Sequence, residues 1–396
     1  PSLWYRAALH GEADALHVVG FTLPGVPGVV VGHNRYVAWG FTNGMVDDTD
    51  YVIERLSDDG LRYREPGDAG DGWRELDVRI DTIRVRGRDA PELMRIRSTS
   101  RGPLISDVLS GLGADLSVLW VAATLETSTT GVQALNRADG AAAMDRAVSA
   151  FARPHQNVVY AARDGTIGYR LGGRIPLRGG RDGAVPTPSD SVADARPGFW
   201  PSEAHPAARD PRRGYVATAN NLQARGFGRS ISSDYAPPVR ALRITQALEV
   251  KRDWTLESTY RLQHDTRSLL ADRVIVRSVA AARRLGLTDQ AELLSGWDRV
   301  VSEDARAAPL FYSWFYRLRT LIAADEYASA PEWTLFPIEA VLRTLEEGSA
   351  WIDDVSTPRV ENLVELEERA MRDAVRVTDG KSWGELHEER HAHPLG

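Results

Sequence analysis

Three runs of side chains in this sequence have the types and spacing to do chemistry. In residues 32–50, GHNRYVAWGFTNGMVDDTD, a glycine-flanked polar turn and an aromatic segment lead into Asp47, Asp48 and Asp50. Carboxylates this close repel one another unless they are solvated or share a cation, and Ca²⁺ takes its ligands from carboxylate and backbone oxygens. The spacing is not that of a twelve-residue EF-hand loop, so a solvated acidic loop stands beside a calcium site as a reading. Residues 214–221, GYVATANN, read as a strand-like run that ends in the adjacent amides Asn220 and Asn221. An amide there is either a turn former or a donor to an oxyanion developing in a transition state. Asp234 and Arg240 flank the pair Pro237 and Pro238, where a helical pattern begins. At that place an acid can simply start a helix and an arginine can simply be solvated.

Other chemistries lack their residues. Cysteine is absent, which removes disulfides, thiolate nucleophiles and Cys-zinc sites. His10, His17, His33, His155, His205 and His264 are scattered with no HExxH spacing, and neither a GxSxG elbow nor a Walker loop occurs. The 396 residues carry a net charge of −7 with both signs interspersed, which argues against a nucleic-acid partner. No apolar run approaches the roughly 18–20 residues that span a bilayer. Pro1 is not an initiator methionine, so the sequence is expected to be a fragment or a processed product.

The elements that position these groups change character once. Residues 1 to 225 are rich in Gly, Val and Thr with short alternating segments. Residues 29–31 and 36–39 predict a hairpin around the turn at 32–35, and residues 77–85 predict a half-buried strand. From Val239, apolar residues recur at helical spacing through 257–285, 306–325 and 359–373. The expected organisation is a β-rich part at 1–238 and a mainly helical part at 239–396. The Gly/Pro/Arg-rich residues 178–213 are expected to be irregular and superficial, and residues 311–316, FYSWFY, to form a buried helix face.

In chain order, residues 1–5 (PSLWY), 21–27 (FTLPGVP), 32–43, 219–221 (ANN), 234–244, 262–265 (LQHD), 296–298 (GWD) and the late WGELH and HPL resemble landmarks of the penicillin acylase family, the N-terminal-nucleophile amidohydrolases also called peptidase family S45. The resemblance implies an α+β fold, an αββα sandwich incomplete at both ends, and hydrolysis of a small-molecule N-acyl amide through an acyl-enzyme on an N-terminal Ser. That Ser is expected upstream of Pro1. Ser2 is the poorer choice, because the Leu-Trp-Tyr after it matches a segment well beyond the nucleophile. By position, the Asn43 backbone N–H and the Asn220 side chain form the oxyanion hole, and Arg240 matches an active-site arginine. Val31, Phe41 and Met45 line the acyl pocket.

The resemblance also implies structural Ca²⁺ held by the side chains of Asp47, Asp50 and Asp234 with backbone oxygens of Thr49 and Pro176. An α chain from the same precursor is the expected partner, after autoproteolytic processing, in an extracytoplasmic enzyme. Penicillins, N-acyl-homoserine lactones and acylated lipopeptides remain open as substrates, and the chain alone is expected to be inert. Two rival readings are a carbohydrate-active enzyme, which needs paired carboxylates, and a non-catalytic calcium-stabilised binding module.

Overall fold

The computed structural model describes residues 3–12, 16–65, 71–109, 111–120, 123, 129–179, 181, 183–192, 198–223, 231–328 and 336–388. Ser2 and the late HPL segment lie outside them. The chain divides into two compact units, residues 2–236 and 237–396.

In the first unit the strands are β1 (Tyr5–Gly11), β2 (Leu16–Thr22), β3 (Val31–His33), β4 (Val37–Asn43), β5 (Thr49–Ile53), β6 (Arg62–Arg64), β7 (Trp73–Glu75), β8 (Asp77–Ile83), β9 (Glu92–Ser98) and β10 (Leu116–Trp120). Helices α1 (Thr129–Asn136) and α2 (Ala141–Ser149) follow, then β11 (Gln156–Ala162), β12 (Ile167–Gly172), β13 (Thr187–Pro188) and β14 (Ala207–Arg209). The main sheet has seven strands in the order β1-β2-β3-β4-β11-β12-β14, and β5 belongs to a separate sheet, β10-β5-β13.

The expected hairpin is β3–β4, with Gly32 opposite Trp39 and His33 opposite Ala38. Asn34 makes its turn. The side-chain Oδ1 accepts from the Tyr36 and Val37 N–H groups at 2.8 and 2.9 Å, an Asx turn that satisfies donors with no ladder partner. Gly32 is needed because a Cβ there would lie 2.2 Å from the Val19 carbonyl oxygen on β2. Alternating apolar residues of β4 and β11, Val37, Trp39, Val158 and Tyr160, pack with Leu135, Met144 and Val148 from α1 and α2. Each such burial is worth about 1.5–3 kcal/mol, which fixes the face that β4 turns inward.

Two expectations differ from the structure. The strand at 77–85 forms as β8 and pairs with β9, but Ile80 keeps 62% exposure and Val78 and Ile83 are exposed too. A two-stranded ladder has no second layer on which to bury its apolar face. Residues 214–221 form no strand; they run extended and bent, fastened by side chains instead of a backbone ladder.

The second unit is helical: α3 (Val239–Val250), α4 (Leu256–Gln263), α5 (Leu269–Arg284), α6 (Thr288–Ser295), α7 (Ala307–Ile322), α8 (Ile338–Glu347), α9 (Leu363–Thr378) and α10 (Trp383–Leu386). The periodic stretch at 257–285 is broken by Ser268, whose side chain accepts from the Ala271 N–H and starts α5. Phe311, Trp314 and Phe315 of α7 are fully buried in the same core as Ala370 and Met371 of α9, whereas Tyr316 is exposed. The Trp314 indole N–H donates to the Glu367 carbonyl oxygen at 3.1 Å. The Glu367 carboxylate, itself buried, is matched by Arg277 at 2.8 Å and Arg284 at 2.9 Å.

Candidate active site

The end of β4 gathers amides. Asn157, on β11 beside Thr42, is 2% exposed, and its Nδ2 donates to the Asn43 carbonyl oxygen at 3.0 Å and to Thr42 Oγ1 at 3.2 Å. Its Oδ1 accepts from the Tyr169 hydroxyl at 2.9 Å. Burial pushes the Tyr169 phenol up, so it stays a donor. Asn220 donates from Nδ2 to the same Asn43 carbonyl at 3.1 Å, and Thr42 Oγ1 donates to Thr218 Oγ1 at 2.9 Å. The structure thus brings Asn43 and Asn220 together, although they are 177 residues apart.

Local geometry aims these groups. Asn220 has φ +62°, in the left-handed region that Asn tolerates better than most residues. Its carbonyl accepts from the Ala236 N–H at 2.9 Å, which ties the segment down. The Gly44 N–H donates to the His155 carbonyl at 3.0 Å. Because antiparallel strands alternate their hydrogen bonds, the Asn43 N–H then points to the other edge of β4, where β3 pairs only as far as Trp39.

Beside that edge lies an apolar cleft of about 680 Å³ lined by Val30, Val31, Phe41, Trp120 and Phe151, with Thr42 and Asn43 at its polar side. Phe41 and Phe151 meet edge to face at 5.9 Å. The bend carrying Val30 and Val31 is held by Asn136 of α1, whose amide accepts from the Val29 N–H at 2.8 Å and donates to the Val29 carbonyl at 2.7 Å. Val31 and Phe41 therefore sit together in the cleft. Met45 does not line it. With φ +54° it turns into a neighbouring hollow with Asp47, Asp48 and Asp234.

The residues expected to hold Ca²⁺ separate into two surroundings. Asp234 faces the hollow with Asp47, and its N–H donates to Ser232 Oγ at 3.0 Å. Thr49 donates from its Oγ1 to Asp48 Oδ1 at 3.1 Å, and Pro176 pairs with Phe199. Asp50 is 5% exposed and bonds Arg178, whose Nε lies 2.9 and 3.1 Å from its two oxygens. The Arg178 Nη2 donates to the Asp47 carbonyl at 2.7 Å and lies 3.4 Å from Asp47 Oδ1. Burial pushes the Asp47 carboxyl above the ordinary carboxylate value, with the Arg178 charge pulling it back. Ca²⁺ requires six to eight oxygens at about 2.3–2.6 Å, and here a guanidinium bonds the Asp50 carboxylate and lies beside that of Asp47 instead. As placed, these residues do not fit the ion, and no group of three or more His, Asp or Glu side chains able to hold a metal occurs among the described residues.

Arg240 belongs to the helical unit. It stands on α3 by a groove of about 690 Å³ that Arg243, Asp265 and Tyr312 also line. Arg243 pairs there with Asp265 at 3.0 Å.

Two residues of this region escape a reading of the sequence. Asn157 is one; the amides Gln156 and Asn157 opening an otherwise apolar strand were its signal. Arg178 is the other, hidden in a stretch whose composition reads as surface.

The penicillin amidase family model matches residues 1–396. The penicillin acylase 2 proenzyme of Pseudomonas sp. (strain SE83) is 27% identical, over 98% of this chain and 51% of that protein. The acyl-homoserine lactone acylase QuiP of Pseudomonas aeruginosa is 25% identical, over 98% of this chain and 50% of its own length. Penicillin G acylase of Escherichia coli is 28% identical over 76% of this chain and 36% of that protein. The chain spans about half the length of the first two of these curated relatives. Among solved structures, the thermostable penicillin G acylase from Alcaligenes faecalis superposes with a TM-score of 0.72 at 21% identity, over 96% of this chain and 73% of that one, and so has the same fold.

Proposed function

This chain belongs to the penicillin amidase family, and from that premise we propose that it supplies the oxyanion-binding edge and acyl cleft of an enzyme that hydrolyses N-acyl amide bonds. The nucleophile in this reading is an N-terminal Ser upstream of Pro1. Its Oγ attacks the amide carbon while its own α-amine takes the proton. The tetrahedral oxygen is met by the Asn43 N–H and by an N–H of Asn220. Collapse returns the proton to the leaving amine and leaves an ester, which water then cleaves to the carboxylic acid.

The observation that carries the reading is the Asn220 amide held 3.1 Å from the carbonyl of Asn43, itself a lining residue of the apolar cleft. A primary amide has two N–H donors, so fixing one on that carbonyl fixes the direction of the other. Donors positioned before the reaction stabilise the oxyanion without reorganisation. The cleft suits an apolar acyl group and, among the described residues, offers a single carboxylate, Asp48, where glycoside hydrolysis requires a pair. The relatives' names include a penicillin acylase and an acyl-homoserine lactone acylase. Both fit an apolar acyl group on an amide nitrogen.

The test is kcat of the intact enzyme on a panel of N-acyl amides, with an Asn220→Asp variant. The reading requires turnover that falls by about 10²–10³ in the variant while precursor processing continues. Equal turnover in the two proteins, or affinity without turnover in the parent, sinks it.

A further inference from the structure

The acidic run after β4 reads as either solvated or sharing a cation, and the structure supplies a cation from the chain itself. Asp47, Asp48 and Asp50 bring three carboxylates to the start of β5. Arg178 reaches them from 128 residues further along. Its side chain is 3% exposed, and the Asp50 side chain 7%. The Nε addresses both Asp50 oxygens and the Nη2 addresses the Asp47 backbone, so a single guanidinium bonds to two of the residues that a metal would need. The place is also shaped to its present contents. A Cβ added to Gly183, at φ +74°, would lie 2.6 Å from Asp47 Oδ2, 2.8 Å from Arg178 Nε and 2.8 Å from Asp50 Oδ1. Gly183 therefore lies directly against the pair, and no larger residue fits there without displacing it.

We infer that Arg178 is the resident cation of the Asp47/Asp50 cluster, so that the junction of β4 and β5 is held without a divalent metal ion. A guanidinium suits this task because it stays charged at every working pH and carries several N–H donors, of which Nε here serves both Asp50 oxygens and Nη2 the Asp47 carbonyl. The junction carries Asn43 at one end and Asp50 at the other. Arg178 is thus a positioning residue for this segment, and the inference stands whether or not the chain belongs to an amide hydrolase.

Three measurements on the intact protein test it. Thermal unfolding with and without EDTA is expected to give one Tm, which millimolar Ca²⁺ leaves in place. Elemental analysis after dialysis is expected to find calcium well below one ion per chain. Arg178→Met, which keeps an unbranched apolar stem and loses the charge, is expected to lower Tm by on the order of 10 °C, with Arg178→Lys recovering part of the loss. A fall in the wild-type Tm on chelation that Ca²⁺ reverses would overturn the inference, as would one calcium per chain or an Arg178→Met protein as stable as the parent. Should Arg178→Met fail to fold, the chelation and elemental measurements on the wild type decide the matter.

Discussion

Two polar clusters stand seven residues apart at the ends of one segment, and they treat their donors in opposite ways. Around Asn43 the groups are neutral amides and hydroxyls: Asn157 is buried and internally bonded, Asn220 bonds the Asn43 carbonyl, and Asn43 itself lines a cleft. Around Asp50 the groups are charged and buried, and Arg178 spends its Nε and Nη2 on the carboxylate and on the Asp47 backbone. The first arrangement is uncharged throughout; the second pairs ions, and leaves the buried Arg178 Nη1 with no partner among the described residues. On the reading proposed above, chemistry belongs to the neutral cluster and rigidity to the ionic one.

That division can be broken by exchanging the effects of mutations. The largest expected effect is on stability. Asp50→Asn leaves the Arg178 charge buried with its main partner neutralised, and should cost about 3–5 kcal/mol, read as a lowered denaturation midpoint at unchanged slope. If the ionic cluster instead takes part in turnover, the variant will lose kcat with little loss of midpoint. Next comes Asn220→Asp, the expected loss of 10²–10³ in kcat amounting to about 2.7–4 kcal/mol of transition-state stabilisation, with a midpoint close to wild type. Asn157→Ala sharpens the boundary from inside the neutral cluster. It strands the Tyr169 hydroxyl and removes one donor from the Asn43 carbonyl, so about 1–3 kcal/mol of stability should go. Its effect on kcat should be smaller than that of Asn220→Asp. A kcat loss as large would make Asn157 an equal part of the donor set.

The two clusters were not equally legible. The β3–β4 hairpin could be read because Asn34 between two apolar alternating runs is a turn with a mechanism, and the helical unit because the spacing of Phe311, Trp314, Phe315 and Leu318 admits only one buried face. Asn43 and Asn220 could be picked out through the order of segments around them. Their meeting could not, because nothing local in a run such as GYVATANN says that its Thr218 and Asn220 side chains, and not its backbone, will bond the end of β4. Arg178 was illegible for a related reason. Composition placed residues 178–213 at the surface, yet Arg178, Ser189, Val192 and His205 are all buried. A single ion pair of long reach outweighs the average of a loop, and a sum over neighbours does not register it. The acid run did announce that its charges must be solvated or share a cation, but its spacing does not distinguish water, a metal or a guanidinium on a distant loop.

The smallest effect concerns another buried polar group in the same unit, one with no ionic partner. His205 is 7% exposed, its Nδ1 lies 3.2 Å from the Leu171 carbonyl oxygen, and its Nε2 has no partner among the described residues. Burial, helped by the charges of Arg170 and Arg174, holds its pKa below the ordinary histidine value. The unfolded chain therefore binds this proton more readily than the folded one, and stability must rise with pH through that interval. Above about pH 6.5 both states leave the ring neutral and the group contributes nothing; as the pH falls below that, the folded state is penalised until its own ring titrates. His205→Gln, which keeps a donor for the Leu171 carbonyl and cannot gain a charge, should flatten the decline of Tm between about pH 7 and pH 5.5. An unchanged slope would place the acid sensitivity of this unit in its carboxylates, among them Asp47, which burial pushes above the ordinary carboxylate value.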